Sequence, residues 1–234
     1  YNCSQTSEYN GVNGMNGLDL HHRLEKNIGL LIFGILFVTS IGGLVQILPS
    51  IFQESLKTPS EITHLYKPLE LVGRDIYIRE GCNTCHSQQI RPLVAEVERY
   101  GTFSRADEFV YDRPFLWGSK RTGPDLHRIG GKYSDEWHRL HMVDPRSVVP
   151  NSIMPAYPWL LEREANHSND ITKKLVGLQK LGHPYTTSDI ENAESDLQNK
   201  TELDALIAYL QILGKARPEG DLPWLIFYSQ EICL

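Results

Sequence analysis

The chain has 234 residues, 41% of them hydrophobic, and carries a net charge of −6 from 23 basic and 29 acidic side chains. That length allows one globular domain with additional segments, and the mild acidity excludes the basic surface on which nucleic-acid binding depends. Four cysteines in such a length exclude a scaffold built on disulfides.

Residues 1–22 begin with an Asn-, Gly- and Ser-rich stretch that predicts a flexible tail. The first residue is Tyr1, so a processed, truncated or fragmentary start is expected, and Met15 could itself be an initiation site. Residues 23–50 predict a membrane anchor. Its centre, Ile28 to Leu48, is 21 residues without a charge, and Thr39, Ser40 and Gln46 are its polar side chains. As a helix it rises about 31 Å, close to the hydrocarbon thickness of a bilayer. The run is longer than the apolar part of a signal peptide, and IFQESLK follows it where small residues would mark a cleavage site.

Arg23 and Lys26, with His21 and His22, precede the helix, whereas Lys57 is the basic residue close behind it. The positive-inside rule therefore predicts a single pass with a cytoplasmic N-terminus. Gly34, Ser40, Gly42 and Gly43 would let another helix approach closely. This topology places Cys3 and Cys233 on opposite sides of the membrane, where they cannot pair.

Residues 51–68 are polar, punctuated by Pro59 and Pro68, and predict a linker. A globular domain is expected over 69–215. Leu71, Ile76, Tyr77 and Ile78 supply the apolar face of a first helix. Ser134 reads as the N-cap of a second, with acids in its first turn. Thr201 opens a third, with Leu203, Leu206, Ile207 and Leu210 at helical spacing and Gly214 as its stop. The polar stretch between Gly182 and Lys200 predicts a solvated loop and surface helix. Strand-like alternation is scarce, so the expected class is all-α with long loops. Residues 216–234 form a tail that includes LPWLIFY, too short to span a membrane and suited to docking on the domain or on a partner.

Between the first and second helices lies Cys82-Asn83-Thr84-Cys85-His86. A CxxCH run is the attachment motif of a c-type haem. Each cysteine forms a thioether, and the histidine becomes the proximal iron ligand. One motif predicts one covalently attached haem c. The alternative, zinc, needs further ligands at short spacing, and His127, His138 and His141 do not follow the CxxC run in a finger-like pattern. Haem attachment on the outer face of a bacterial membrane agrees with the charge-derived topology.

An electron-transfer haem needs a sixth ligand, and methionine sulfur raises its potential. Met15 precedes the anchor and Met142 sits in a helical segment, whereas Met154 lies in the proline-bounded run NSIMPAYP. Met154 is the expected ligand, with a histidine from His127, His138 or His141 as the next possibility. Thr122-Gly123-Pro124-Asp125-Leu126 resembles the GPxL segment of class I cytochromes c. There the proline carbonyl accepts the proton of the ligand histidine's other nitrogen, the role assigned to Pro124. Gly73 and Tyr77, with Leu206 and Tyr209, match the residues at which those proteins cross their first and last helices.

Three runs carry a closer resemblance: GRDIYIREGCNTCHSQQIRP, ERYGTFSRADEFVYDRPFLWGSKRTGPDLHRIGGKYSDEWHRLH and VVPNSIMPAYPWL. Together with the anchor and the KTELDALIAYLQILG helix they are similar to the monohaem cytochrome c subunit (subunit II) of cbb3-type cytochrome c oxidases, over about residues 23–215. The resemblance implies an all-α chain, one N-terminal transmembrane helix followed by a class I cytochrome c-like domain, in a bacterial inner membrane with the haem domain periplasmic. It implies two partner chains, a dihaem cytochrome c subunit and a catalytic haem b/copper subunit that reduces O2. Electrons would pass from the dihaem subunit through this haem to haem b, and this chain would perform no catalysis itself. Arg121, Trp117 and Arg91 are then candidates for contacts to the haem propionates, which suit an arginine fork. Three rival readings share some of these features: the membrane-anchored monohaem subunit of a nitric oxide reductase, a tethered cytochrome c shuttle, and a haem-based gas sensor.

Overall fold

The computed structural model describes residues 17–53, 58–166 and 170–215. Cys3, Met15, Lys57, Cys233 and the terminal tail at 216–234 lie outside the described residues. The chain divides into two units, Tyr1–Glu54 and Ser55–Leu234.

In the first unit, α1 (Gly17–Lys26) is followed by α2 (Ile28–Phe52). The helical region thus starts within the stretch expected to be flexible. Arg23 and Lys26 occupy the last turn of α1, where positive charge opposes the negative end of the helix dipole. Asn27 separates the two helices and caps α2, its side chain accepting from the Leu30 N–H at 3.2 Å. α2 is long and apolar enough to cross a membrane, and none of it is buried within the protein. Its hydroxyls turn inward: Thr39 donates to the Ile35 carbonyl at 2.8 Å and Ser40 to the Leu36 carbonyl at 2.6 Å. Both polar groups are thereby satisfied without water, as lipid requires.

The second unit is all-α among the described residues, with two isolated β-bridges, His86 with Arg121 and Glu164 with Thr201. Its longer helices are α3 (Pro68–Arg79), α5 (Asp135–Val143), α8 (Ile171–Lys180), α9 (Thr187–Asp196) and α10 (Glu202–Ile212), with short α4 (Val94–Tyr100), α6 (Pro145–Val148) and α7 (Trp159–Glu162) between them. The expected capping residues hold. Ser134 accepts from the Trp137 N–H at 3.2 Å at the start of α5, Thr201 caps α10, and Gly214 follows α10 at φ +77°, a conformation that favours glycine at a helix stop.

The core forms where α3 crosses α10. A Cβ on Gly73 would lie 1.9 Å from the Ala205 carbonyl oxygen and 2.9 Å from the Tyr209 Cβ. Glycine is what permits this approach. Tyr77 and Tyr209 meet beside it with ring centroids 5.5 Å apart. Leu71, Ile76, Leu160, Leu175, Leu203, Leu206 and Leu210 close the rest. Met142 packs into this core, as its helical position predicts. At the rim, Arg79 holds Glu202 with a fork of two hydrogen bonds at 2.7 and 2.6 Å, and Arg139 reaches Asp204 at 2.6 Å.

The second half of the expected linker is part of this domain. Ser60 and Thr63 bond to Asp107 at 3.0 and 2.6 Å. Tyr66 is buried, donating to Asp112 at 2.6 Å and accepting from the Tyr185 hydroxyl at 2.8 Å. Polarity suggested solvent there, but these hydroxyls are consumed by internal partners.

Candidate metal centre

α3 delivers the chain to the CxxCH run. Beyond Arg79 the backbone turns at Gly81, φ +73°, into a tight turn over Cys82–Thr84. The Cys85 and His86 N–H groups both return to the Cys82 carbonyl, at 3.2 and 2.9 Å. That turn presents two free thiols, Cys82 half-buried against the core and Cys85 exposed. Burial, with the charge of Glu80, pushes the Cys82 thiol up to about 12.

The His86 ring is held from one side. Its Nδ1 lies 2.8 Å from the Pro124 carbonyl oxygen. A carbonyl only accepts, so Nδ1 carries the proton and Nε2 keeps a free lone pair. Burial lowers the ring's proton affinity, opposed by the Pro124 carbonyl and by Asp125. The neutral, metal-ligating form is therefore favoured. Backbone bonds align the two segments: Gly123 N–H to the Cys85 carbonyl at 3.0 Å and Leu126 N–H to the Ser87 carbonyl at 3.0 Å. A Cβ at Gly123 would stand 2.1 Å from His86 Cε1. Gly123 is thus a site residue that sequence reasoning passed over, although it is the glycine of the GPDL run.

Met154 lies on an extended strap between α6 and α7, half-buried against the same core as Cys82. The Ser152 hydroxyl accepts from its N–H at 3.2 Å, and Tyr157 N–H ties the strap to the Met142 carbonyl at 2.7 Å. The three histidines weighed as ligands are placed differently. His127 is buried, its Nδ1 2.5 Å from the Ser104 hydroxyl and its Nε2 3.3 Å from Glu108. His138 is in the interior with no hydrogen-bond partner on either nitrogen among the described residues, and His141 stacks on Trp137.

The structure joins Arg121 and Arg91 at one carboxylate. Arg121 Nη2 donates to Glu96 at 2.9 Å, and the Arg91 guanidinium meets the other oxygen of the same group. Burial would raise Glu96, but the two guanidinium partners hold it down at about 2. Both arginines therefore have an anionic partner within the protein. Trp117 stacks on Phe115 with centroids 4.6 Å apart and meets Phe109 edge-on. Glu96 was not foreseen, since a lone acid on a short helix carries no motif.

Two thiols one turn apart, an imidazole with an oriented free Nε2 and a thioether on a core-packed strap are the donors that a covalently attached haem takes. A sequence model of the family described as "Cytochrome C oxidase, mono-heme subunit/FixO" matches residues 21–202. A search of curated proteins returned no match.

Proposed function

The chain belongs to the mono-haem subunit family of cytochrome c oxidase, and we propose that it is the electron-relay subunit of a cbb3-type terminal oxidase. The observation that carries this reading beyond family membership is the His86–Pro124 hydrogen bond inside a CxxCH-bearing turn. In this reading the Cys82 and Cys85 sulfurs hold one haem c by thioethers. When bound, the haem supplies a one-electron couple at its iron. His86 offers Nε2 to the metal, and Pro124 keeps the ring in one tautomer and orientation, as a carbonyl behind a metal-bound imidazole does. Met154 would give the iron a thioether ligand, whose sulfur favours the reduced state. Cys82 and Met154 both pack against the core that α3 and α10 build, so the two segments that would hold the group are fixed to the same surface.

The anchor keeps the domain at the membrane, with the N-terminus cytoplasmic and the haem domain periplasmic in a bacterial inner membrane. Electrons arrive from a dihaem cytochrome c partner and leave for haem b of a catalytic haem–copper subunit, where O2 is reduced. The docking of Ser60, Thr63 and Tyr66 into the domain makes part of the expected linker belong to the domain, which favours a fixed subunit over a swinging shuttle. Arg121, Arg91 and Trp117 remain the side chains proposed at the propionates, the arginines through donors beyond those engaged by Glu96.

The test is purification of the full chain from its native membranes in mild detergent, followed by a reduced-minus-oxidised spectrum and O2 uptake. Haem c and haem b bands with cyanide-sensitive O2 uptake are expected. Cys82→Ala or Cys85→Ala should abolish the doubly linked haem c signal. Nitric oxide consumption in place of O2 uptake would move the chain to the reductase reading, and haem c alone without uptake would favour the shuttle.

A further inference from the structure

Asp125 is buried, and its carboxylate meets three donors. The Ser87 hydroxyl and the Gln89 N–H reach Oδ2 at 2.7 and 2.9 Å, and the His127 N–H reaches Oδ1 at 2.9 Å. Ser87 directly follows His86, and Asp125 directly follows Pro124. The carboxylate thus fastens together the two segments whose apposition makes the His86–Pro124 bond.

Arg121 completes the cluster from the other side. Its guanidinium lies 3.5 Å from Asp125 Oδ2 and donates to the Ser87 hydroxyl and, at 2.9 Å, to the Gln89 carbonyl. Ser87 therefore accepts from the arginine and donates to the acid. The Asp125 side chain is fully buried, whereas that of Arg121 is 18% exposed. Charge in the interior acts through a low dielectric, and charge at the surface is screened.

We propose that Asp125 is a positioning residue for the metal-ligating histidine, and that its charge, opposed by Arg121, sets the field in which the bound haem changes oxidation state. This rests on the covalent haem assigned above. A negative group near the iron stabilises the oxidised form and a positive one the reduced form. The two side chains must therefore shift the reduction potential in opposite directions. A merely structural role would loosen the His86 segment in either variant and move both potentials the same way.

The experiment is a potentiometric titration of haem c, followed by its visible absorption, in the purified complex carrying the full chain. Asp125→Asn is expected to raise the midpoint potential. Arg121→Gln is expected to lower it by a smaller amount, the double variant to fall between, and Arg121→Lys to return close to the unsubstituted value. Shifts of one sign in both single variants, or none in either, would overturn the proposal. If Asp125→Asn does not assemble, Arg121→Gln is read against Arg91→Gln, the other arginine proposed at the propionates: a larger fall for Arg121→Gln supports the proposal, and equal falls, a rise or no change sink it. Absence of a covalent c-type spectrum in the unsubstituted chain would instead remove the functional reading on which it rests.

Discussion

α2 and α10 are both rich in Leu and Ile, yet their surroundings are opposite. α2 exposes Ile28, Phe33, Leu36, Val38, Val45 and its other apolar side chains along its whole length, while α10 buries Leu203, Leu206, Ile207, Tyr209 and Leu210. Length separates them first: 25 residues against 11. The longer helix rises about 37 Å and can cross a bilayer, whereas the shorter one rises about 16 Å and cannot. Neighbours separate them next. α10 is located by charged partners at its N-terminal turn, Arg79 on Glu202 and Arg139 on Asp204. α2 contains no ionised side chain, and its three hydroxyls, Thr39, Ser40 and Ser50, bond to its own backbone. Apolar composition alone says that a helix avoids water. Ion pairs and close backbone contacts say which surface it avoids water against.

The glycines of the two regions give the sharpest way to test that difference. Gly73→Ala places a methyl group where the Ala205 carbonyl already stands. It is expected to destabilise the haem domain by about 3 kcal/mol, the upper end of overpacking costs, read as a lowered thermal midpoint in the full chain. Next in size is acid sensitivity, which belongs to the domain alone because α2 carries no titratable side chain. Glu96 is held at about 2, below its unfolded value. It contributes stability above the ordinary carboxylate range that is lost as pH falls towards 2. Glu96→Gln should lower the unfolding midpoint at neutral pH and flatten its fall between about pH 4.5 and 2. An unchanged acid profile would remove the Arg91–Glu96–Arg121 cluster from the stability account.

A smaller effect is expected at the cap of α10. The Thr201 hydroxyl accepts from the Asp204 N–H at 3.1 Å, so Thr201→Ala should cost about 1 kcal/mol in denaturant unfolding. Smallest is Gly42→Ala, where among the described residues nothing beyond its chain neighbours and the adjoining backbone of its own helix lies within 4 Å of the added Cβ. Domain stability should change by less than about 0.5 kcal/mol. A loss matching that of Gly73→Ala would break the distinction between the two regions.

Much of this was legible residue by residue. The long apolar helix, the helices capped by Ser134 and Thr201 and the CxxCH turn follow from local pattern, the Gly73 crossing from the resemblance to class I cytochromes c, and the structure shows each in place. α4 and α8 were not foreseen. α4 is short, and in α8 the spacing of Ile171, Leu175 and Leu178 becomes a buried face only once other helices cover it. The docking of Tyr66 was hidden too, because a tyrosine among prolines and polar residues gives no sign of Asp112 and Tyr185 on its two sides.

What the sequence determined by itself is whatever adjacent residues carry: an apolar run of membrane length, a haem-attachment string, a glycine–proline step and helix caps. These are read within a few residues, because backbone geometry and thioether chemistry act locally. Tertiary structure alone decided which distant charges meet. Arg91 and Arg121 converge on Glu96, and Asp125 joins Ser87 and Gln89 to His127. Such pairings have no period or spacing. A buried charge is stable wherever folding supplies enough donors, and only the packed chain shows where that is.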